Sequence, residues 1–150
     1  MTQALELAVE NVRAGRGGPF AALVVKDGAV IASGVNLVTS TNDPTAHAEV
    51  VAIRAACRAL GAFQLFGCDV YATCEPCPMC LGAIYWARPV RVFFAATRAD
   101  AAAAGFDDSL IYEEILQPLD ARRIPWIPLM RAQAQVVFRE WQVKGDRIRY

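Results

Sequence analysis

The sequence predicts a three-layer α/β/α domain built on a central mixed sheet of five strands, with residues 1–150 forming one domain. First, the chain has 150 residues, 55% of them apolar, which suits a single domain with a sizeable core. Second, two apolar segments flank Lys26-Asp27-Gly28, and Asp-Gly is a strong two-residue hairpin signal. Third, strand-like and helix-like segments alternate after that hairpin, which is typical of a sheet covered by helices on both faces.

The first half of the chain begins with a helix at Thr2–Ala14, which ends in the glycines of G-R-G-G. Apolar residues recur in it at helical spacing, namely Leu5, Ala8, Val9 and Val12. Two apolar, β-branched strands follow at Phe20–Val25 and Ala29–Val35, and the polar segment Thr39–Pro44 is expected to be a loop. A helix at Ala46–Leu60 would turn Val50, Ile53, Ala56, Cys57 and Leu60 toward the core.

The second half predicts a strand at Asp69–Thr73, a helix from Pro76 or Pro78 to Arg88, a strand at Arg91–Ala96, a strand at Ile124–Leu129 and a helix at Ala132–Val143. Two prolines, Pro125 and Pro128, interrupt the fifth strand. Residues 131–150 would form a C-terminal helix and tail. Because there is no internal repeat or interdomain linker, we expect one folded domain.

The segments A-H-A-E-V and E-P-C-P-M-C carry the chemistry of this chain. Zinc takes imidazole nitrogen and thiolate sulfur readily, and a catalytic zinc site uses three protein ligands so that the fourth position can hold water. His47, Cys77 and Cys80 supply three such ligands. His47 lies in the first turn of the predicted helix Ala46–Leu60. Glu49 lies two residues after it and can move protons without binding the metal. The pattern H-x-E with P-C-x-x-C is typical of zinc-dependent deaminases.

Two other roles fit the cysteines alone. Cys77 and Cys80 could form a dithiol redox pair, or they could join Cys74 and His47 in a four-ligand structural zinc site. A structural site would leave Glu49 without a function, and so would a zinc-stabilised interaction module that keeps the metal only for folding. The catalytic interpretation is favoured because His47 is the only histidine and is followed at once by A-E.

The chemistry that these residues permit is hydrolytic deamination of a heteroaromatic ring. Zinc lowers the pKa of a bound water from 15.7 to about 7, so that hydroxide is available near neutral pH. Glu49 would shuttle protons from that water to a ring nitrogen and then to the departing amine.

Composition and charge weigh against a nucleic acid partner, a membrane-spanning segment and a disulfide framework. Fifteen basic residues balance fifteen acidic ones, which weighs against a nucleic acid partner. The longest apolar stretch, Phe20–Val25, is too short to cross a membrane, and no signal-like segment opens the chain. Five cysteines, three of them clustered, do not suggest a disulfide framework. We therefore expect a cytoplasmic protein.

The hairpin, T-A-H-A-E and C-E-P-C-P-M-C-L-G-A-I-Y-W-A resemble the cytidine and deoxycytidylate deaminase superfamily. Within it, the chain is most similar to the bacterial guanine deaminases, from P-F-A-A-L-V-V-K-D-G through A-G-F-D-D-S-L-I-Y-E-E-I to the C-terminal tyrosine. The resemblance implies a cytidine-deaminase-like fold, one Zn²⁺ per subunit and conversion of guanine to xanthine and ammonia in purine catabolism. It also implies a homodimer whose C-terminal segment passes to the neighbouring subunit.

The resemblance implies further residues that bind the purine base. Asp108, the second Asp of F-D-D-S, would receive the N1–H and the exocyclic amine of guanine, since a carboxylate is an acceptor-only group. Cytosine and adenine present one donor beside an acceptor on that edge, so Asp108 would favour guanine. Asn36 would hydrogen-bond the base from the far side. The aromatic residues that would shape an apolar slot are Phe20, Trp86 and Tyr150.

Other substrates remain open from the sequence. The same two-donor edge occurs in other aminopurines, in aminotriazines such as ammeline, and in guanosine. A tRNA adenosine deaminase is disfavoured by the zero net charge, although the C-terminal third is loosely basic.

Overall fold

The computed structural model describes residues 1–150, which form two compact units, Met1–Ser109 and Leu110–Tyr150. The first unit contains α1 (Thr2–Arg13), β1 (Ala21–Lys26), β2 (Ala29–Val35), α2 (Val38–Thr41), α3 (Ala48–Leu60), β3 (Cys68–Cys74), α4 (Pro78–Ala87), β4 (Arg91–Ala96) and α5 (Arg98–Ala103). At the boundary α6 (Ser109–Leu116) begins, and the second unit continues with a 3₁₀ turn (Leu119–Ala121) and α7 (Arg131–Val143).

The strands form one mixed sheet in the order β2-β1-β3-β4. The strand β1 is antiparallel to β2 and β3, whereas β3 and β4 are parallel. The predicted hairpin is confirmed, because β1 pairs with β2 up to Lys26 and Ala29. Its two turn residues, Asp27 and Gly28, have φ angles of 49° and 78°. Positive φ at both positions is what a tight two-residue hairpin requires.

Helices cover both faces of the central strand. Ala22 and Val24 of β1 belong to the same buried cluster as Ala48, Ala52 and Ala56 of α3. The alternate residues of β1 point to the opposite face and are buried as well, where α1 contacts the strand. The predicted arrangement of helices on a central sheet is thus confirmed.

Gly34 of β2 allows α3 to lie close to the sheet. A Cβ at this position would be 2.3 Å from the carbonyl oxygen of Ala48 and 2.5 Å from the main-chain nitrogen of Ala52. Both are backbone atoms in the first turns of α3, so they cannot move aside without shifting the helix. The glycine therefore helps to place the helix that carries His47 at its start.

Replacing Gly34 by alanine is expected to lower the free energy of unfolding by roughly 1–3 kcal/mol or more, because it overpacks a backbone contact. Chemical denaturation measures this change. Gly82→Ala is a matched control, since Gly82 lies within α4 and a Cβ there would meet nothing within 4 Å. The control should be neutral or slightly stabilising, and equal stability of the two variants would contradict the role of Gly34.

The prediction of five strands is wrong, since the sheet has four and residues 124–129 form no strand. Proline has no N–H to donate to a neighbouring strand, and Pro125 and Pro128 leave this segment with too few donors for a continuous ladder.

The prediction that all of Thr39–Pro44 is a loop is also wrong, since residues 39–41 belong to the short helix α2. The hydroxyls of Ser40 and Thr41 donate to the carbonyl of Leu37, at 3.2 and 2.7 Å. Asn42, in the left-handed conformation, ends the helix.

The helix α1 is present as predicted, but of its predicted apolar row only Ala8 is buried. Leu5, Val9 and Val12 are about half exposed. The buried row consists of small or amide side chains, Ala4, Ala8 and Asn11. Alanine lets a helix approach the sheet closely, and this outweighs the larger hydrophobicity of leucine and valine here.

The second unit exposes its apolar side chains. None of residues 110–150 is buried, although α6, α7 and the segment between them contain many large apolar residues. Leu116 and Ile127 are each 83% exposed. The chain contains no helix with the length and apolar character that crossing a membrane would require.

Candidate metal centre

Two helix N-termini carry the predicted metal ligands. His47 is the N-cap residue of α3 and Cys77 is the N-cap residue of α4. The prediction that His47 lies within the first turn is thus off by one residue. Neither side chain caps its own helix, so both are available to bind elsewhere. The positive end of the α4 dipole favours the thiolate form of Cys77.

The three side chains fit a zinc ion. His47 Nδ1 lies 3.5 Å from Cys77 Sγ and 3.6 Å from Cys80 Sγ, and all three atoms are within 4.8 Å of one another. A tetrahedral zinc with ordinary bond lengths would separate an imidazole nitrogen from a thiolate sulfur by about 3.6 Å. The distances therefore match the coordination geometry, and three protein ligands leave a fourth position for a water.

The two thiols of the site share one proton between them. A hydrogen bond from Cys80 lowers the pKa of Cys77 to about 4, although its burial opposes this. The same hydrogen bond, together with burial, raises the pKa of Cys80. The hydrogen bond to Cys77 also raises the pKa of His47. One thiolate is thus available before a cation displaces the remaining proton.

Glu49 is buried in the first turn of α3 and does not belong to the three-residue ligand group. Burial raises the pKa of its carboxyl, and the negative charge of Cys77 raises it further. A carboxyl with a raised pKa binds and releases protons closer to neutral pH, as a proton shuttle must.

Cys74 does not join this group, so the structure does not support the four-ligand structural site. Its thiol donates a hydrogen bond to the carbonyl oxygen of Thr97 at 3.5 Å. The pKa of Cys74 is raised by burial, which disfavours the thiolate that a metal would need.

The two aspartates of F-D-D-S have different surroundings. Asp107 accepts a hydrogen bond from the main-chain N–H of Ser109 at 2.9 Å, so it closes a local turn just before α6. Asp108 is partly buried, and this raises its pKa. The negative charge of Cys77 raises the pKa of Asp108 further.

Asn36 follows the last residue of β2, is buried, and has its side chain held in one orientation. Its Oδ1 accepts hydrogen bonds from the main-chain N–H groups of Gly18 and Val38, at 3.2 and 3.3 Å. Because main-chain N–H groups only donate, the atom facing them must be the amide oxygen. The Nδ2 group, which makes none of these bonds, is the part of Asn36 that can donate to a ligand.

Aromatic rings meet beside these residues. Phe20 contacts Phe106 edge to face, with ring centroids 4.9 Å apart. The sequence did not point to Phe106, although this residue directly precedes the two aspartates. Trp86 is 64% exposed on α4, and Tyr150, in the second unit, is 70% exposed. The roles of Trp86 and Tyr150 therefore stay predictions.

Comparison with known proteins shows similarity along the whole chain. Residues 1–96 match the family described as the cytidine and deoxycytidylate deaminase zinc-binding region. The chain is 56% identical over 150 residues to guanine deaminase of Bacillus subtilis (strain 168), covering 100% of this chain and 96% of that protein. The X-ray structure of guanine deaminase from Bacillus subtilis superimposes with a TM-score of 0.97 at 56% identity, over 99% of this chain and 95% of that chain.

A second group of relatives matches only in part. The tRNA-specific adenosine deaminase of Agrobacterium fabrum (strain C58 / ATCC 33970) is 47% identical over 98 residues, which are 63% of this chain and 64% of that protein. The similarity to the tRNA enzyme thus covers less than two thirds of the chain, whereas the similarity to the guanine deaminase covers all of it.

Proposed function

The chain belongs to the cytidine and deoxycytidylate deaminase family, and from this premise we propose that it is a guanine deaminase, which hydrolyses guanine to xanthine and ammonia. The observation that carries the proposal is the group formed by His47, Cys77 and Cys80, in a chain that is 56% identical over its whole length to a guanine deaminase. We assign Asp108 to the base because a carboxylate selects a ring edge that presents two donors, and guanine has such an edge.

The reaction exchanges one bond for another at C2 of the ring. A water adds through its oxygen to C2, the bond from C2 to the exocyclic nitrogen breaks, and ammonia leaves. When bound by His47, Cys77 and Cys80, zinc supplies the acidity that brings the pKa of the attacking water to about 7.

Glu49 moves the protons in this scheme. Its buried carboxylate takes a proton from the attacking water, gives it to a ring nitrogen next to C2, and returns a proton to the departing amine. The raised pKa of Glu49 suits both the uptake and the return of the proton.

Asp108 and Asn36 orient the base. Asp108 accepts from the N1–H and the exocyclic amine, as its acceptor-only chemistry dictates. Asn36 donates through Nδ2, so the ring atom that it contacts is an acceptor, and guanine has acceptors at O6, N3 and N7. Phe20 supplies part of an apolar wall, since it packs on Phe106 next to the aspartates.

Asp108→Asn tests the substrate assignment. An amide at this position can turn a donor toward the two donors of guanine, so we expect kcat/KM for guanine to fall by about 10²-fold or more. Ammonia release is measured with guanine, guanosine, cytosine, adenosine and ammeline. The variant should lose its preference for the rings that have two adjacent donors.

Asp107→Asn is the matched control, because asparagine can accept the same bond from the main-chain N–H of Ser109 and the change removes the same charge one residue away. It should retain activity near that of the wild type. Guanine left intact by the wild-type protein while another ring of the panel reacts would contradict the proposed function.

We also propose that the protein forms a homodimer in which the C-terminal segment serves the neighbouring subunit. Each unit exposes apolar side chains in the single chain. The first exposes Tyr85, Trp86 and Val90 on and after α4, and the second has no buried residue at all. Exposed apolar area of this extent is typical of a protein interface. A second copy of the chain is the partner that we propose for these surfaces.

Complementation between two inactive variants tests the exchange. A chain lacking residues 145–150 should keep zinc and lose guanine turnover, because it lacks Tyr150, which we expect to line the apolar slot for the purine base. Glu49→Gln chains are inactive for a different reason. If the tail crosses between subunits, mixing the two variants after subunit exchange restores about one quarter of wild-type activity, since half of the dimers contain one intact composite site.

Sedimentation analysis of each variant checks whether dimers form. Each variant mixed with itself is the control. Dimers without restored activity would show that the tail serves its own subunit. Full activity of the truncated chain alone would show that Tyr150 has no part in the site. A cytoplasmic location fits this proposal, since all five cysteines are free thiols.

A further inference from the structure

Asn11 is a buried polar residue that the proposed mechanism does not use. It lies in α1 with no exposed surface, in the row otherwise made of Ala4 and Ala8. Burying a carboxamide costs free energy unless its groups are hydrogen-bonded. A residue of this kind at a position suited to an apolar side chain suggests a specific task.

The Asn11 side chain joins three segments. Its Nδ2 donates to the carbonyl oxygen of Gly18 at 3.0 Å and to that of Asn36 at 2.9 Å. Its Oδ1 accepts from Nε of Arg16 at 3.2 Å. Both amide hydrogens and the oxygen are therefore engaged, and the side chain connects α1, the loop after it and the end of β2.

Asn36 is held by the same loop. Its main-chain N–H donates to the carbonyl of Phe20 at 3.0 Å, and its Oδ1 accepts from the N–H of Gly18. Asn11 donates to the carbonyl groups of both Asn36 and Gly18. It therefore holds the Asn36 side chain and the Gly18 N–H, which donates to it, at a fixed separation. The orientation of the Asn36 Nδ2 group depends on this arrangement.

The loop also packs against the aromatic pair. A Cβ on Gly17 would be 2.2 Å from the carbonyl oxygen of Asn36, and one on Gly18 would be 3.3 Å from the Phe20 ring and 3.4 Å from the Phe106 ring. Only glycine fits at position 17, and a side chain at position 18 would press on both rings. The loop thus lies between Asn11 and Phe106, which directly precedes Asp107 and Asp108.

We propose that Asn11 is a positioning residue for substrate recognition, which sets the direction of the Asn36 Nδ2 donor and the position of the Gly17–Phe20 loop. This inference rests on the proposed function, because it assigns Asn11 to the binding of the purine base. Asn11 acts through Asn36 and does not touch the reacting atoms.

Asn11→Leu keeps the approximate volume of the side chain and removes both donated hydrogen bonds. We expect kcat/KM for guanine to fall by about 10- to 100-fold, mainly through a higher KM, because two carbonyl partners are no longer held. The zinc content should stay at the wild-type value, since no ligand is altered.

A double-mutant cycle with Asn36→Ala separates positioning from general loss of stability. If Asn11 acts through Asn36, then Asn11→Leu should have little further effect on kcat/KM once Asn36 is absent. Independent, multiplicative losses would overturn the proposal. Val70→Ala is the control for lowered stability, because it truncates a core side chain of β3 outside this set of hydrogen bonds, and it should leave KM unchanged well below its melting temperature.

Arg16→Met is a second variant, for the case that Asn11→Leu does not fold. Arg16 is partly exposed and its loss removes the bond to Asn11 Oδ1 together with a surface ion pair to Glu10, so the chain should fold and show a rise in KM of about 2- to 5-fold. An unchanged KM in this variant would overturn the proposal. A wild-type protein that is inactive on guanine would overturn the proposed function as well. If the wild-type protein is active and Asn11→Leu has the same kcat/KM for guanine, only the positioning role is overturned.

Discussion

Glu49→Gln should reduce guanine turnover by at least about 10²- to 10⁴-fold while one zinc per chain stays bound. Glutamine has nearly the same shape, but its amide cannot accept a proton from water and return it to the amine. Zinc should remain because Glu49 is not among the three side chains that form the ligand group. Ammonia release, metal analysis and thermal unfolding of the same preparation measure the three quantities.

Glu6→Gln is the matched control, since it makes the same chemical change at an exposed carboxylate on α1 and should leave turnover unchanged. Activity retained in Glu49→Gln would contradict the assignment of Glu49 as the proton shuttle. A protein that used zinc only for folding would be indifferent to Glu49→Gln, so this variant also separates an enzyme from an interaction module.

Cys80→Ala is expected to remove both the metal and the activity. Two remaining ligands, His47 and Cys77, do not make a stable zinc site, so the metal content should fall from one per chain to about none. Because bound metal stabilises the folded state that holds it, the melting temperature should fall toward that of the wild-type protein after chelation. Metal analysis after dialysis and an ammonia assay give the two readouts.

Cys68→Ala provides the control for losing a buried thiol. Cys68 has no exposed surface and belongs to the core cluster, but it is not part of the ligand group. This variant should lose stability while it keeps zinc and activity. Full zinc content in Cys80→Ala would mean that the three-ligand site is assigned to the wrong residues.

The metal site could be predicted because its signals are local. His47 and Glu49 are two residues apart at the start of one helix, and Cys77 and Cys80 are three apart at the start of another. Spacing along a helix N-terminus brings the side chains of that helix to the same end. The structure adds the distances, which show that the two helix ends meet.

The contacts around Asn36 could not be read from the sequence in the same way. Nothing in the spacing of Asn11, Asn36 and Phe106 along the chain shows that they surround one loop, since these contacts join segments that are far apart in sequence. The one available signal was an asparagine in the row of Ala4 and Ala8. Hydrophobicity alone selected Leu5, Val9 and Val12 beside Ala8, and the structure leaves these three half exposed.

By itself, the sequence determined the hairpin, the helices that bear the metal ligands, the ligand set of His47, Cys77 and Cys80, and the family, because turn chemistry and ligand spacing act over a few residues. Only the tertiary structure decided that the sheet has four strands, that Cys74 stays outside the metal group, and that the Asn36 amide presents its nitrogen. These features depend on which distant groups satisfy each hydrogen bond and fill each contact, and that follows from packing in three dimensions.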